Sequence, residues 1–442
     1  MSLATPEKIR TLQRKLYCKA KAEPAFRFYV LYDKICREDI LRHAYALARG
    51  NAGAPGVDGV TFAAIETSGL EAWLAGLREE LVSKTYRPSP VRRVMIPKPN
   101  GDGERPLGIP TIRDRVVQTA AKLVLEPIFE ADFEDNAYGY RPARGAVDAV
   151  KEVHRLICRG YTDVVDADLS RYFDTIPHSD LMKSVARRIV DRHVLRLIKL
   201  WLKAPIEERD EGNGTRRISG GKSNTRGTPQ GGVASPLLAN IYMNRFLKHW
   251  RLTGCGEAFR ADVVAYADDF VILSCGYATE ALAWTKAVMT KLGLTLNEAK
   301  TSVRNARQER FDFLGYSFGR CYSRKAGRAY LGTKPSRKSI KRICDAIHAD
   351  TNRHTMTQSA ERLVRTLNSK LNGWANYFHL GPVSKAYQVV DAHTSYRLRQ
   401  WLCRKHRVTG KGTKRYRDQY LSLSQIKSEH IDGAVRPGPD GR

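Results

Sequence analysis

The sequence predicts an α+β fold, with helices at both ends and strands gathered between them, and three observations predict it. Residues 262–273 are two apolar arms around the polar pair Asp268 and Asp269, as in a tight β-hairpin. Residues 162–169 form a second strongly strand-like run, Thr162-Asp163-Val164-Val165-Asp166-Ala167-Asp168-Leu169. Beyond about Thr333 the period changes, and Leu363, Val364, Leu367, Leu371, Trp374 and Phe378 recur three and four residues apart on one helical face.

The elements follow in order. Residues 6–49 read as helices rich in Lys, Arg and aromatics, stopped by the glycines and proline of residues 50–59. Residues 91–96 read as a strand, 97–105 as a turn and 107–110 as the return, which makes a hairpin with a basic tip. The spacing of Val116, Val117, Ala120, Leu123 and Val124 predicts a helix over 111–129, and another helix follows the second strand from about Ser179. In the helix bearing the apolar stripe, Trp374 and Phe378 are expected in the core. The later run from Tyr396 to Arg407 is basic and interleaved with aromatics, so Arg397, Arg399, Arg404 and Lys405 are expected to contact phosphates. A basic amphipathic helix has the same pattern.

A chain of 442 residues exceeds what one core supports, so two or three domains are expected. Its 75 Lys and Arg against 46 Asp and Glu give a net charge of +29, which suits a polyanion and makes nucleic acid the first partner to consider. An anionic membrane surface is the competitor. The apolar runs are short and interrupted by charge, however, and none approaches the roughly 20 residues of a membrane span. The N-terminus lacks the basic-then-apolar order of a secretory signal, so a cytoplasmic protein is expected. The eight cysteines are scattered without a Cys-x-x-Cys pair and read as free thiols.

Adjacent aspartates repel each other, yet turns favour Asp, so a solvent-exposed Asp-rich turn is the simplest reading of Asp268 and Asp269. A third acid, Asp168, stands at the carboxyl end of the second strand. Three carboxylates on neighbouring strand ends hold two divalent metals about 4 Å apart, the arrangement used for in-line phosphoryl transfer, and Mg2+ is the hard ion for that work. Asp166 shares a strand face with Asp168 and is its rival by position.

These segments resemble a known family. Tyr266-Ala267-Asp268-Asp269 resembles the Tyr-x-Asp-Asp box of reverse transcriptases, and Asp168-Leu169-Ser170-Arg171-Tyr172-Phe173-Asp174 resembles their first catalytic box. Between them, Gly227-Thr228-Pro229-Gln230-Gly231-Gly232-Val233-Ala234-Ser235-Pro236-Leu237-Leu238 resembles the family's Pro-Gln-Gly segment, and residues 294–301 and 313–316 resemble its later palm segments. The resemblance implies a right-hand polymerase of fingers, palm and thumb. Residues 1–80 would be an N-terminal extension, 81–332 fingers and palm, 333–405 the thumb or maturase region, and 406–442 a basic tail that includes a truncated DNA-binding piece.

It further implies that Asp168, Asp268 and the backbone of Leu169 hold two Mg2+ ions, with Asp269 supporting or sharing coordination. Phe173 would lie below the sugar 2′ position, Gln230 beside the incoming deoxynucleotide, and Lys98 and Arg105 on its triphosphate; Lys300 would protonate pyrophosphate. Asp174 would accept backbone amides near residues 176–179, and Arg113 and Arg115 rank as further phosphate contacts. An ordinary buried Phe, a solvated basic turn and a solvated Lys are the alternatives for Phe173, for Lys98 with Arg105, and for Lys300.

Within the family, residues 53–59, 86–98 and 138–142, together with Trp374-Ala375-Asn376-Tyr377-Phe378, resemble bacterial group II intron reverse transcriptases. The implied partners are the intron RNA, an RNA template with a DNA primer, and deoxynucleotides, with no membrane and with nucleoid association when DNA is the target. No His-Asn-His nuclease with paired cysteines is visible, so target cleavage is not expected of this chain. A host-adopted polymerase used in repair or phage defence, and a non-catalytic RNA-binding splicing factor, are the competing readings.

Overall fold

The computed structural model describes residues 3–97, 103–209, 216–323 and 327–416. The chain divides into two compact units, one of residues 1–149 with 165–303, the other of residues 150–164 with 304–442. The expected tip residue Lys98 and the tail from residue 417 onward lie outside the described residues.

The first unit opens with four helices, α1 (Glu7–Ala22), α2 (Tyr32–Ile35), α3 (Glu38–Gly50) and α4 (Phe62–Val82). Helix α3 stops at Gly50, as its glycine-rich sequel predicts. Those glycines also permit close packing: a Cβ on Gly56 would stand 2.7 Å from the backbone of Thr111, and one on Gly53 2.7 Å from Nη1 of Arg115. The hairpin follows as β1 (Val91–Pro97) and β2 (Glu104–Ile109), antiparallel with Arg92 opposite Ile109. Helix α5 (Ile112–Glu130) begins where Thr111 Oγ1 accepts the amide of Asp114. The buried Asp114 carboxylate accepts Tyr86 Oη at 2.7 Å, Thr111 Oγ1 at 2.7 Å and the Ser89 amide at 3.0 Å, and so fastens the base of the hairpin.

Helix α6 (Ala146–Cys158) leads to β3 (Asp163–Asp168), followed by α7 (Tyr172–Thr175), α8 (His178–Ala186) and α9 (Arg192–Leu202). Strands β4 (Pro205–Arg209) and β5 (Arg216–Gly220) extend the hairpin into a sheet of order β2-β1-β4-β5. After α10 (Ser235–Leu252) and α11 (Cys255–Ala258) come β6 (Ala261–Tyr266), β7 (Asp269–Ser274), α12 (Ala278–Lys291) and β8 (Ser302–Asn305). The second sheet has the order β6-β7-β3-β8. Val165, Ala167, Val263, Ala265, Phe270 and Ile272 from its strands join one core with apolar residues of α5 and α10.

In the second unit β9 (Phe311–Phe313), β10 (Tyr316–Ser323) and β11 (Arg328–Pro335) make a small antiparallel sheet. Helices α13 (Arg337–Asp350), α14 (Ala360–Tyr377) and α15 (Ser384–Lys405) follow, the first two capped by Ser336 and Ser359. The predicted stripe is their core: Leu363, Val364, Leu367 and Leu371 are buried with Ile347, Val390, Leu398 and Trp401, and Trp374 packs on them. Among the described residues no helix is long and apolar enough to cross a membrane, and all eight cysteines are free.

Candidate active site

Strands β6 and β7 pair from Ala261 opposite Ser274 to Tyr266 opposite Asp269, which leaves only Ala267 and Asp268 in the turn. Ala267 takes φ 58°, a left-handed value that its methyl disfavours and that a two-residue hairpin turn requires. The neighbouring chain holds it there. Tyr138 donates its amide to Ala265 O at 2.8 Å, Ala265 donates to Asn136 O at 2.9 Å, and Asn240 Nδ2 donates to Gly139 O at 2.7 Å. Gly139 lies so close to the turn that a Cβ would be 2.4 Å from the Ala267 nitrogen.

Beside β7, strand β3 carries Asp166 and Asp168 on one face. Asp269 still reaches solvent, but the surrounding protein and then the charges of Asp268, Asp168 and Asp166 push its carboxyl up to about 6, against a pull from Lys300. Burial is also the main cause that raises Asp268, with Asp168 adding to the rise and Arg105 opposing it. The predicted trio is thus brought to one sheet end, and the rival Asp166 comes with it. Asp168 itself is tied from the far side: Lys300 Nζ is 3.3 Å from Oδ2, Asn297 Nδ2 donates to Oδ2 at 3.3 Å, and the Asn297 amide donates to Asp168 O at 2.8 Å. Leu169 bridges to Leu296 directly after the strand.

Among the described residues no three His, Cys, Asp or Glu side chains close to metal-ligating distance. The donor set nonetheless suits a hard divalent ion, because four carboxylates, Asp166, Asp168, Asp268 and Asp269, are electrostatically coupled and their mutual repulsion favours a cation beside them.

Around the carboxylates stand the other expected contacts. Arg105 is exposed on β2 and feels Asp268. Phe173 is half-buried on α7 beside the core, and its ring lies 6.5 Å from that of Tyr140. The carbonyl of Gln230 accepts the Gly108 amide at 2.5 Å, and Thr228 donates its amide to Phe173 O at 2.7 Å, so this loop joins the fingers-like hairpin to α7. A Cβ on Gly231 (φ 102°) would meet Gly108 O at 2.4 Å, which explains the glycine. Asp174 is exposed, and α8 starts without a side-chain cap, so the expected cap at 176–179 is not formed.

Sequence reasoning missed two residues. Tyr140 takes φ 55°, is 48% exposed, and puts its ring 6.4 Å from Tyr266 as well as beside Phe173. After burial, its phenol is raised mainly by Asp268 and Tyr266. Asn297, the anchor of Asp168, lies in a segment that resemblance picked out without giving it a role.

Several basic residues expected on phosphate are committed elsewhere. Arg113 pairs with Glu80 and stacks on Tyr86, and the buried Arg115 donates to Pro110 O at 3.0 Å and to Ala54 O. Arg397 is buried, with Nε on Thr351 Oγ1 and Nη2 on Thr351 O, both at 3.0 Å. Arg399 donates to Tyr416 O at 2.9 Å, and Lys405 donates to Met356 O at 2.9 Å and Gln358 O at 2.8 Å. Arg397 thus spends donors inside the protein, whereas Arg399 and Lys405 are half-buried and each also holds backbone carbonyl oxygen. Arg404 is exposed, as the expectation requires.

Residues 96–318 match the family described as reverse transcriptase (RNA-dependent DNA polymerase), and residues 340–421 match the group II intron, maturase-specific domain. Protein YkfC of Escherichia coli is 35% identical over 368 residues, which are 75% of this chain and 93% of that protein. The group II intron-encoded protein LtrA of Lactococcus lactis is 36% identical over 230 residues, 50% of this chain and 35% of its own length. A putative COX1/OXI3 intron 1 protein of Saccharomyces cerevisiae is 28% identical over 55% of this chain and 34% of its own.

Proposed function

As a member of the group II intron-encoded reverse transcriptases, this chain is an RNA-directed DNA polymerase with a splicing maturase function, and we propose that Asp168, Asp268 and Asp269 form its polymerisation centre. One observation carries the assignment: Asp269, lifted to about 6 by burial and then by the charges of Asp268, Asp168 and Asp166, shares one sheet end with them, a density of negative charge that divalent cations relieve. Two Mg2+ ions, held by the three aspartates and the carbonyl of Leu169, would supply activation of a primer 3′ hydroxyl and stabilisation of the leaving pyrophosphate.

The protein's own residues do the rest. Arg105, together with Lys98, takes the triphosphate of the incoming deoxynucleotide, and its fixed charge stabilises the transferring phosphate. Phe173 bars a 2′ hydroxyl, and Gln230 lines the nucleotide on the side of the glycine-rich loop. Lys300, within ion-pair distance of Asp168, is close enough to give a proton to pyrophosphate. The template is RNA and the primer DNA; the second partner is the group II intron RNA, met by the helices that match the maturase-specific domain and by exposed cations such as Arg404. Residues 1–80, 81–332, 333–405 and 406–442 serve as extension, fingers and palm, thumb, and tail. The work is done in the bacterial cytoplasm, at the nucleoid when DNA is copied into.

Asp268→Asn or Asp168→Asn is expected to lower primer extension on an RNA template by roughly 10³-fold, the several kcal/mol that a bound metal contributes, with RNA binding retained. Extension near the wild-type rate in both variants would refute the assignment.

A further inference from the structure

A cavity of about 540 Å³ opens in the first unit between the ends of α5 and α8 and one face each of α10 and α12. It shares no lining residue with the carboxylate cluster. Phe133 and Ile241 give it an apolar floor, and Arg187, Arg245, Lys248 and Lys291 line it with cations. A volume of this size lies within the range of about 300–1,000 Å³ that holds a nucleotide-sized ligand.

Its charges are unbalanced in a specific way. The acid Asp132 is matched by Arg188, 2.9 Å away, and Arg188 spends its other donors on the carbonyls of Ala20, Glu23, Pro24 and Phe26. That pair is closed. Arg187, Lys248 and Lys291 are exposed, and among the described residues none has an ion-pair partner. Arg245 lies 5.2 Å from the Tyr242 ring, and its buried Nη1 is paired with Asp180 at the long distance of 4.0 Å and makes no hydrogen bond among the described residues. That long pairing leaves the guanidinium under-satisfied, and an anionic oxygen at its other donors adds to it.

We propose that this cavity is an RNA-docking site that takes one unstacked nucleotide, its phosphates on Arg187, Arg245, Lys248 and Lys291 and its base on the apolar floor. The inference rests on the RNA-binding half of the proposed function. RNA fits better than an acidic peptide because a nucleotide presents adjacent anionic oxygens and a flat apolar face at one point, and single-stranded loops are where proteins take up extruded bases.

The test uses the full chain and a group II intron transcript containing 4-thiouridine. Irradiation is expected to crosslink the RNA to peptides from residues 241–252. The triple variant Arg187→Gln/Lys248→Gln/Lys291→Gln, all three changes at exposed positions, should weaken binding by roughly tenfold or more. It should also reduce the slope of log affinity against log salt by about 1–2, since one nucleotide brings at most two backbone phosphates. Primer extension on a generic template should be unchanged. Crosslinks confined to the second unit, or a salt slope reduced by less than about 1, would overturn the proposal. A wild-type protein that binds the intron transcript no better than an unrelated RNA of equal length fails the maturase reading instead, and the crosslink map still decides whether RNA enters the cavity.

Discussion

Arg397 and Arg404 lie seven residues apart on α15, the first buried and the second exposed, and one pair of substitutions tests whether their roles differ as their settings do. Arg397 closes the C-terminal end of α13, donating to Thr351 Oγ1 and Thr351 O at 3.0 Å and more weakly to His348 O at 3.5 Å. In Arg397→Ala the carbonyl of Thr351 is left buried and unpaired, at about 1–3 kcal/mol. A cation also disappears from a helix C-terminus, worth about 0.3–1 kcal/mol. His348 O keeps the Thr351 amide at 3.3 Å, so it adds little. The sum is roughly 1–4 kcal/mol, and for a unit of this size each kcal/mol moves the unfolding midpoint by about 2–4 °C. Calorimetry should therefore show the transition of the second unit roughly 3–15 °C lower in Arg397→Ala. In Arg404→Ala that midpoint should hold while the salt slope of RNA binding falls by about 1. If Arg397→Ala unfolds at the wild-type temperature and loses salt-dependent RNA affinity, the buried role is wrong and Arg397 is a phosphate contact.

Three further outcomes follow from particular contacts. Because the carboxyl of Asp269 is raised to about 6, the sign is the reverse of an ordinary paired carboxylate: the metal-free protein should gain stability as pH falls from 7 through 6, and Asp269→Asn should raise its melting temperature at neutral pH while extension is lost. Calorimetry without divalent ions checks both, and a lower midpoint for Asp269→Asn would refute the crowding. Asp191 is held below its usual pKa because the amides of Leu31, Tyr32, His193 and Val194 outweigh its burial, so its stabilisation is present above about pH 4 and disappears as pH falls through the lower folded value. Asp191→Ala should cost about 2–4 kcal/mol at neutral pH in denaturant titrations and flatten the acid limb; an unchanged midpoint would show that the amides find water instead. Gly139→Ala places a methyl where 2.4 Å separates it from the Ala267 nitrogen, so primer extension should fall at least about tenfold while the fold is kept; wild-type kinetics would mean that the turn yields freely.

The β6 and β7 hairpin is legible in the sequence because both arms are apolar apart from the exposed Asp262 near the start of β6, and their apolar residues are buried: Val264, Val271, Ile272 and Leu273 are all at 0% exposure. Strands β4 and β5 are not legible. Pro205-Ile206-Glu207-Glu208-Arg209 reads as polar loop, yet Glu207 is fully buried, matched by Arg209 at 3.0 Å and Arg216 at 2.6 Å, a partnership that no local period displays. The same limit explains Arg115 and Arg397. Periodicity places an arginine on a helix, but whether a neighbouring loop or helix end lies over it depends on chain far away, such as Gly53 and Ala54 for Arg115 and Thr351 for Arg397. The aspartates are picked out by the resemblance of their segments to two catalytic boxes, whereas Tyr140 is given no role, because a left-handed backbone leaves no mark on a tyrosine in sequence.

Part of the backbone cost falls at the same site. Tyr140, Arg171 and Ala267 hold φ values of 55°, 48° and 58°, and each non-glycine residue there gives up about 1–2 kcal/mol. Arg171 stands three residues after Asp168, Ala267 directly before Asp268, and the Tyr140 ring beside Phe173. Such conformations persist only where the surroundings over-determine them, and here the surroundings are the arms of the hairpin and the Gly139 segment pressed on the turn. Burial of those arms outweighs the unfavourable turn and keeps two like charges adjacent. An Asp-Asp pair in an ordinary surface turn would relax to separate its carboxylates; this pair cannot, and the difference lies in the packing behind it rather than in the two aspartates themselves.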